Sequence, residues 1–237
     1  MVLTEEQIEH YYREGYVVIP GLVPETEVDA VLAAFPSGNT GGSGWSATVF
    51  DHANPLIDQP IHRLLVEPHV VGAARDIFES EPRVYYGMLA LVPANGGNGL
   101  PWHQDNQYTH ILFSALNVFI ALGDITPDKA GLWIAPRTHR AGVQASKQNT
   151  DTAPGHREAA VEPENGEPLG PMRKGDVAVF DRSTYHRSLR NNTDTPRYAY
   201  AAQFQSDTAR QAIDGKKDPT RMRAIELAKT WSDAGLT

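Results

Sequence analysis

A mainly β fold with flanking helices, a sandwich or barrel, is what three features of the sequence predict. Short apolar and β-branched runs at 83–92, 100–105, 115–122, 131–135, 176–180, 184–190 and 196–205 are divided by Gly, Pro, Asn and Asp clusters rather than by helical patterns. Helix signals are confined to the two ends, over 1–80 and 207–237, around a β core at 83–205. The 237 residues, 41% of them hydrophobic, suit one substantial core and are short for two, so 1–237 is expected to form a single domain.

Taken in order, Thr4 with Gln7 three residues on is a capping box that opens a helix running to about Glu14, where Gly15 stops it. Tyr16 to Pro20 is a β-branched and aromatic run, and Pro24 to Phe35 is a second helix with its proline near the first turn. Residues 36–44 form a Gly-rich loop without the Gly-Lys-Ser/Thr ending that a phosphate cradle needs. Pro60 to Ser80 reads as helix interrupted at Pro68, burying Leu64, Leu65, Val70, Val71 and Ile77. The polar stretch 149–168 is a long insertion between strands, of the kind that serves as a lid. Asp218 is the expected N-cap of a last helix over Pro219 to Ser232.

Composition narrows the function. Met1 to Gln7 has no basic start or apolar stretch, and no apolar run approaches a membrane span, so a soluble, cytoplasmic protein is expected. The absence of cysteine excludes disulfides, thiolate metal sites and a cysteine nucleophile. A net charge of −8 without a basic cluster argues against nucleic-acid and anionic-membrane partners and leaves a small-molecule substrate.

The chemistry lies in Trp102-His103-Gln104-Asp105. In an extended strand residues two apart share a face, so His103 and Asp105 can offer an imidazole nitrogen and a carboxylate oxygen to one metal ion. His186 can complete the set. Two imidazoles and one carboxylate leave coordination positions open, the arrangement expected of non-haem Fe(II) oxygenases. If Asn191-Asn192 turns a two-residue hairpin, Arg197 lies opposite His186, and Ser188 shares their face. A guanidinium fork and a hydroxyl beside a metal suit an anionic co-substrate. Among the other histidines, His62 and His69 are read on a helix surface, while His10, His52, His110 and His156 lack a partner at ligand spacing. Two rival classes use the same ligands: a zinc hydrolase that activates water, and a noncatalytic metal or ligand sensor. The first gives Arg197 and Ser188 no task, and the second has no need of open positions.

From about Glu5 to Gln205 the sequence resembles the phytanoyl-CoA dioxygenase superfamily of Fe(II)- and 2-oxoglutarate-dependent oxygenases. The resemblance rests on Tyr12 to Ile19, on Trp102-His103-Gln104-Asp105-Asn106, on Leu116 to Leu122, on Gly131 to Pro136 and on Lys174-Gly175-Asp176-Val177. It implies a double-stranded β-helix, or jelly roll, in which His103, Asp105 and His186 bind Fe(II). Arg197 and Ser188 would bind the distal carboxylate of 2-oxoglutarate, and Asn117 would face the cofactor. The implied reaction is O2-dependent hydroxylation of an unactivated C–H bond in a small metabolite or natural-product intermediate, with release of succinate and CO2. Desaturation, epimerisation or cyclisation use the same oxidant. Tyr86, Trp45, Gln107, Phe119 and Trp133 are candidates to line the substrate cavity, with core packing the alternative for each aromatic. The chain departs from the family at Arg137-Thr138-His139, where Gly-Ser-His is usual, and at Lys129-Ala130, where Asn-Gly is usual, so an altered turn is expected there. His139 matches a family histidine that is not a metal ligand.

Overall fold

Thr4 Oγ1 accepts the Gln7 N–H at 3.2 Å and Gln7 Oε1 accepts the Thr4 N–H at 2.9 Å, the reciprocal cap that the sequence predicts for α1 (Glu5–Glu14). Gly15, at φ 86°, ends the helix in the left-handed conformation. The computed structural model describes residues 1–35, 46–151, 153 and 155–236, so the loop at 36–44 and Trp45 lie outside the described residues.

β1 (Tyr16–Ile19), α2 (Glu25–Ala34), β2 (Ser46–Val49), α3 (Gln59–His62) and α4 (Pro68–Phe78) follow α1. The break between α3 and α4 comes before Pro68, and the five apolar residues predicted to be buried around it are buried. The core strands are β3 (Arg83–Val92), β4 (Ile111–Leu112), β5 (Ala115–Ala121) and β6 (Leu132–Ile134). After them come β7 (Ser146–Gln148), β8 (Arg157–Ala159), β9 (Glu167–Pro168) and β10 (Val177–Asp181). The chain closes with β11 (His186–Ser188), β12 (Arg197–Gln205), β13 (Arg210–Gln211) and α5 (Ala224–Asp233).

Six strands form one antiparallel sheet in the order β1-β10-β5-β12-β3-β2, and three form a second in the order β11-β6-β9. The sheets pack through Phe119, Ala121, Ala178, Phe180 and Ala199 on the first against Leu132 and Ile134 on the second. This is a jelly roll. Alternation along each strand divides the residues between two burials. Tyr200, Ala202 and Phe204 join Val118, Ile120, Leu89 and Leu91 in one core with Leu64, Leu65, Val70, Ala74 and Trp231 from the helical ends. Residues 199, 201 and 203 face the other sheet. With both faces covered, the central strands read as continuous apolar runs.

Several expectations need correction. Residues 100–105 are not a strand: an isolated bridge joins His103 to His186, and Asp105 begins a one-turn 3-10 helix to Gln107. The 1–80 part is not purely helical, because β1 and β2 supply both edges of the six-stranded sheet. The insertion at 149–168 contributes β8, paired with β7, and β9, paired with β6. Asp218 does not cap the last helix; its carboxylate accepts from Thr220 N–H at 2.9 Å, and the cap is an Arg223/Glu226 box five residues later. His62 is not on a surface. It is fully buried, with Nδ1 2.8 Å from the Tyr200 hydroxyl, whereas His69 is half exposed. Ala130 and Arg137 adopt φ 49° and 68°, the conformation that glycine favours, so these turns are left-handed without glycine. Arg137 is held there by a two-pronged bond to Glu14 at 2.8 and 3.0 Å.

Candidate active site

Two backbone bonds bring His103 and His186 together: each N–H donates to the other's carbonyl at 3.0 Å. Their rings lie 4.2 Å apart, centroid to centroid. His103 Nδ1 is 2.7 Å from the Pro101 carbonyl and His186 Nδ1 is 3.0 Å from the Thr184 carbonyl. A carbonyl can only accept, so Nδ1 carries the proton in both rings and Nε2 keeps a lone pair for a metal. Thr184 is tied down in turn, its hydroxyl donating to the Gly15 carbonyl at 2.9 Å. Asn117 Nδ2 donates to Asp105 Oδ2 at 3.0 Å, leaving Oδ1, which is 4.0 Å from His186 Nε2. One ligand atom from each of these three buried residues lies within 4.8 Å of the others. The alternation argument survives the loss of the strand because Gln104 alone separates His103 from Asp105, and it is extended at φ −115°, ψ 137°.

Electrostatics suits the arrangement. Burial, with the His186 ring beside it, pushes His103 well below the ordinary histidine value, so the ring is neutral. Burial opposes ionisation of Asp105, but His186, Arg182, His103 and the Asn117 bond outweigh it and hold the carboxyl below its usual range.

Arg197 lines the same cavity and is 4% exposed. Among the described residues it has no ion-pair partner and its Nε no hydrogen-bond partner, and burial pulls it down to about 10. Its nearest ring is Phe119, 5.7 Å from the guanidinium. A buried cation left without a counter-charge fits a site built for an anion. The predicted hairpin is absent, however. β12 pairs with β3, placing Arg197 opposite Val92, and β11 pairs with β6. Asn191 is the cause: its side-chain oxygen accepts from the N–H and hydroxyl of Thr193 at 3.2 and 2.7 Å, and its nitrogen donates to the Thr195 carbonyl at 2.8 Å. This turn carries the chain from one sheet to the other, so His186 and Arg197 line the cavity from opposite sheets.

Ser188 also lines the cavity; its Oγ accepts the Leu100 N–H at 3.0 Å and keeps its own proton to donate. Asn117 Oδ1 has no hydrogen-bond partner among the described residues. The cavity has a volume of about 330 Å³. Tyr86 and Phe119 line it, and burial pushes the Tyr86 hydroxyl up to about 12. Gln107 does not: its side chain accepts from Gln104 N–H and donates to the Gln144 carbonyl, closing the turn after Asp105. Trp133 does not either, because it alternates with the cavity-lining Leu132 and packs under Arg187, whose guanidinium is 4.9 Å from its ring. His139 lies apart, against Tyr12 and Gly15. The sequence reading missed Tyr85, Met88, Tyr108, His156, Arg182 and Gln203, all on the lining. Counting by twos along β12 from Arg197 finds Gln203; nothing in the sequence joins Tyr108 to His156, whose hydroxyl and ring meet at 3.2 Å.

No helix among the described residues is long and apolar enough to cross a membrane. An ectoine dioxygenase of Bordetella bronchiseptica is 24% identical over 232 residues, covering 82% of this chain and 73% of its own. A bovine phytanoyl-CoA dioxygenase domain-containing protein 1 is 30% identical over 63% of this chain, which spans 54% of that relative. The crystal structure of EvdO2 from Micromonospora carbonacea var. aurantiaca complexed with 2-oxoglutarate superposes with a TM-score of 0.73 at 22% identity, over 92% of this chain and 96% of that one. The model of the phytanoyl-CoA dioxygenase family matches residues 11–199, and with the jelly roll and its His-Asp-His cluster in place the chain belongs to that family of Fe(II)- and 2-oxoglutarate-dependent oxygenases.

Proposed function

We propose that this chain oxidises a C–H bond of a small molecule, with 2-oxoglutarate as co-substrate, in one oxygenase domain spanning 1–237. The observation that carries the reading is the pairing of three convergent ligand atoms with an unpaired, buried Arg197 on one cavity. His103 Nε2, His186 Nε2 and Asp105 Oδ1 would hold Fe(II), a two-histidine, one-carboxylate set that leaves positions open. The chemistry supplied there is coupling of 2-oxoglutarate decarboxylation, to succinate and CO2, to oxidation of the substrate by O2.

The chain's own residues do the positioning. Pro101 and Thr184 fix the histidine tautomers, and Asn117 fixes the carboxylate, so the donors are aimed before any ion arrives. Arg197 supplies a fork for the distal carboxylate of 2-oxoglutarate, and Ser188 adds its hydroxyl proton. Apolar walls at Phe119, Leu132 and Phe180 exclude water from the reacting centre. A zinc hydrolase would leave Arg197 without a partner.

The test is a substrate screen with Fe(II), 2-oxoglutarate and O2, read by succinate and by product mass. A mass gain of one oxygen identifies hydroxylation, a loss of two hydrogens desaturation or ring closure, and an unchanged mass with altered stereochemistry epimerisation. Hydrolysis supported by zinc without O2, with no succinate formed, would overturn the oxygenase reading.

A further inference from the structure

Arg182 is a second buried cation on the same cavity; its charge helps to hold the Asp105 carboxyl ionised, but no carboxylate of a described residue is its direct partner. It is 2% exposed. Every hydrogen-bond partner is neutral: Nε donates to Asn106 Oδ1 at 3.2 Å, one terminal nitrogen to Gln203 Oε1, and the other to the carbonyls of Asp105 at 3.1 Å and Thr109 at 3.4 Å. The Tyr85 ring lies 4.5 Å from the guanidinium carbon. No carboxylate of a described residue forms an ion pair with it. Gln203 accepts from Arg182 through its oxygen, and its amide nitrogen finds no acceptor among the described residues.

Asp105 and the neighbouring Asp181 feel the charge of Arg182, but neither is at ion-pair distance. The ionic residues on the lining are Arg182, Arg187, Arg197 and Asp105. Arg187 has Glu162 at 3.9 Å. On the function proposed above, a divalent ion with Asp105 and a dianionic 2-oxoglutarate with Arg197 cancel each other. Arg182 then remains as one positive charge in a buried wall, a situation that a single anionic group relieves.

Position separates this subsite from the co-substrate's. Arg197 and Gln203 stand six residues apart on β12, on the same face, at opposite ends of the cavity-lining part of the strand. Ala199 and Ala201 lie between them, small side chains that leave room over the sheet. Tyr86 is the cross-strand partner of Gln203, and its hydroxyl, 3.3 Å from the Met88 sulfur, has only that weak acceptor to give up for a substrate oxygen.

We propose that the substrate carries a carboxylate, received at the Arg182 end of the cavity by the guanidinium, the Gln203 amide nitrogen and the Tyr86 hydroxyl. Arg182 also donates to the Asp105 backbone carbonyl, so the subsite adjoins a metal ligand. The substrate is thus a compact carboxylic acid oxidised close to its acid group.

This rests on the oxygenase reading, and the experiment keeps the two apart. Calorimetry is done on protein loaded with Ni(II), a redox-inert stand-in for iron, first with 2-oxoglutarate and then, at saturating 2-oxoglutarate, with a panel of small hydroxy, amino and aryl carboxylic acids and their matched primary amides. Acids are expected to bind on the order of tenfold or more tighter than their amides. Gln203→Glu supplies a carboxylate to Arg182 from within while keeping its hydrogen bond, so the acid preference should vanish and 2-oxoglutarate affinity should not change. Arg182→Lys should lower the preference without abolishing it. No 2-oxoglutarate binding by the wild type would sink the oxygenase reading. Normal 2-oxoglutarate binding with acids no better than amides, or a preference that persists in Gln203→Glu, overturns the subsite and leaves Arg182 as a brace for the Asp105 turn.

Discussion

Replacing Arg197 by methionine should weaken 2-oxoglutarate binding and strengthen the metal-free fold at the same time. The side chain is buried without a counter-ion, and burial alone pulls its acidity from the usual 12.5 to about 10. At about 1.4 kcal/mol per pH unit, that fall corresponds to ~3 kcal/mol by which the native state disfavours the charge. Methionine fills similar space without the charge. The lost contact with Phe119 offsets about 0.5–1 kcal/mol, leaving a gain on the order of 2 kcal/mol, or roughly 4–8 °C in melting temperature for a chain of this size. In the loaded protein the sign reverses. Removing one partner of a buried charge pair costs about 2–5 kcal/mol, hence a loss of roughly 30-fold to several-thousand-fold in affinity. The assays are thermal unfolding of metal-free protein and anaerobic titration of the Fe(II)–2-oxoglutarate absorption band. Wild-type affinity in Arg197→Met would show the carboxylate to be held elsewhere, and a metal-free variant less stable than wild type would show that Arg197 has a partner in the empty site.

Ser188→Ala should weaken 2-oxoglutarate by less, about 1 kcal/mol, because Oγ already accepts the Leu100 N–H and only a donor is lost. His103→Ala, Asp105→Ala and His186→Ala should each lose most Fe(II) binding with circular dichroism unchanged; full metal content in any one removes that residue from the ligand set. Asn117→Ala frees the Asp105 carboxylate to rotate and should lower metal affinity by about 10- to 100-fold, while an unchanged affinity would deny the bond a positioning role. His62, neutral in its buried site, is pushed from 6.5 to about 4 by burial. The unfolded chain takes up the proton first, so stability is lost as pH falls through that window, and His62→Gln should lose about 2 kcal/mol less than wild type between pH 7 and 4.5 in urea unfolding. Equal losses would mean that His62 does not titrate in this range.

Legible in the sequence was whatever depends on neighbours in the chain. The α1 capping box, the break at Pro68, the major strands and the His103/Asp105 spacing all follow from local rules. His186 stood out among nine histidines because Ser188 and Arg197 follow it at spacings that suit an anion beside a metal. The relation between His186 and Arg197 was misread because Asn191 spends its side chain on Thr193 and Thr195, which turns the chain across the sandwich rather than back along it. Arg182 had no signal at all. It follows Asp181 at the end of an apolar strand, where the two read as an ordinary pair of opposite charges, and only the fold reveals that its hydrogen-bond partners are Asn106, Gln203 and two carbonyls. Gln107 and Trp133 were misplaced for local reasons: the cap after Asp105 takes up the Gln107 side chain, and one residue of alternation from Leu132 turns Trp133 away from the cavity.

The Thr184 hydroxyl that reaches Gly15 makes the end of α1 part of the apparatus that aims His186. A side chain at Gly15 would meet that hydroxyl at 2.7 Å, so the two segments are in contact at the limit of what backbone allows. Undocking of α1 would release Thr184, and with it the carbonyl that selects the His186 tautomer. Docking and metal affinity are therefore linked functions, and linkage runs both ways: whatever factor docking adds to metal affinity, the metal adds to docking. An ion at His186 should slow amide exchange in α1, a helix that never touches it, and clipping that helix should show first as a leaky metal centre.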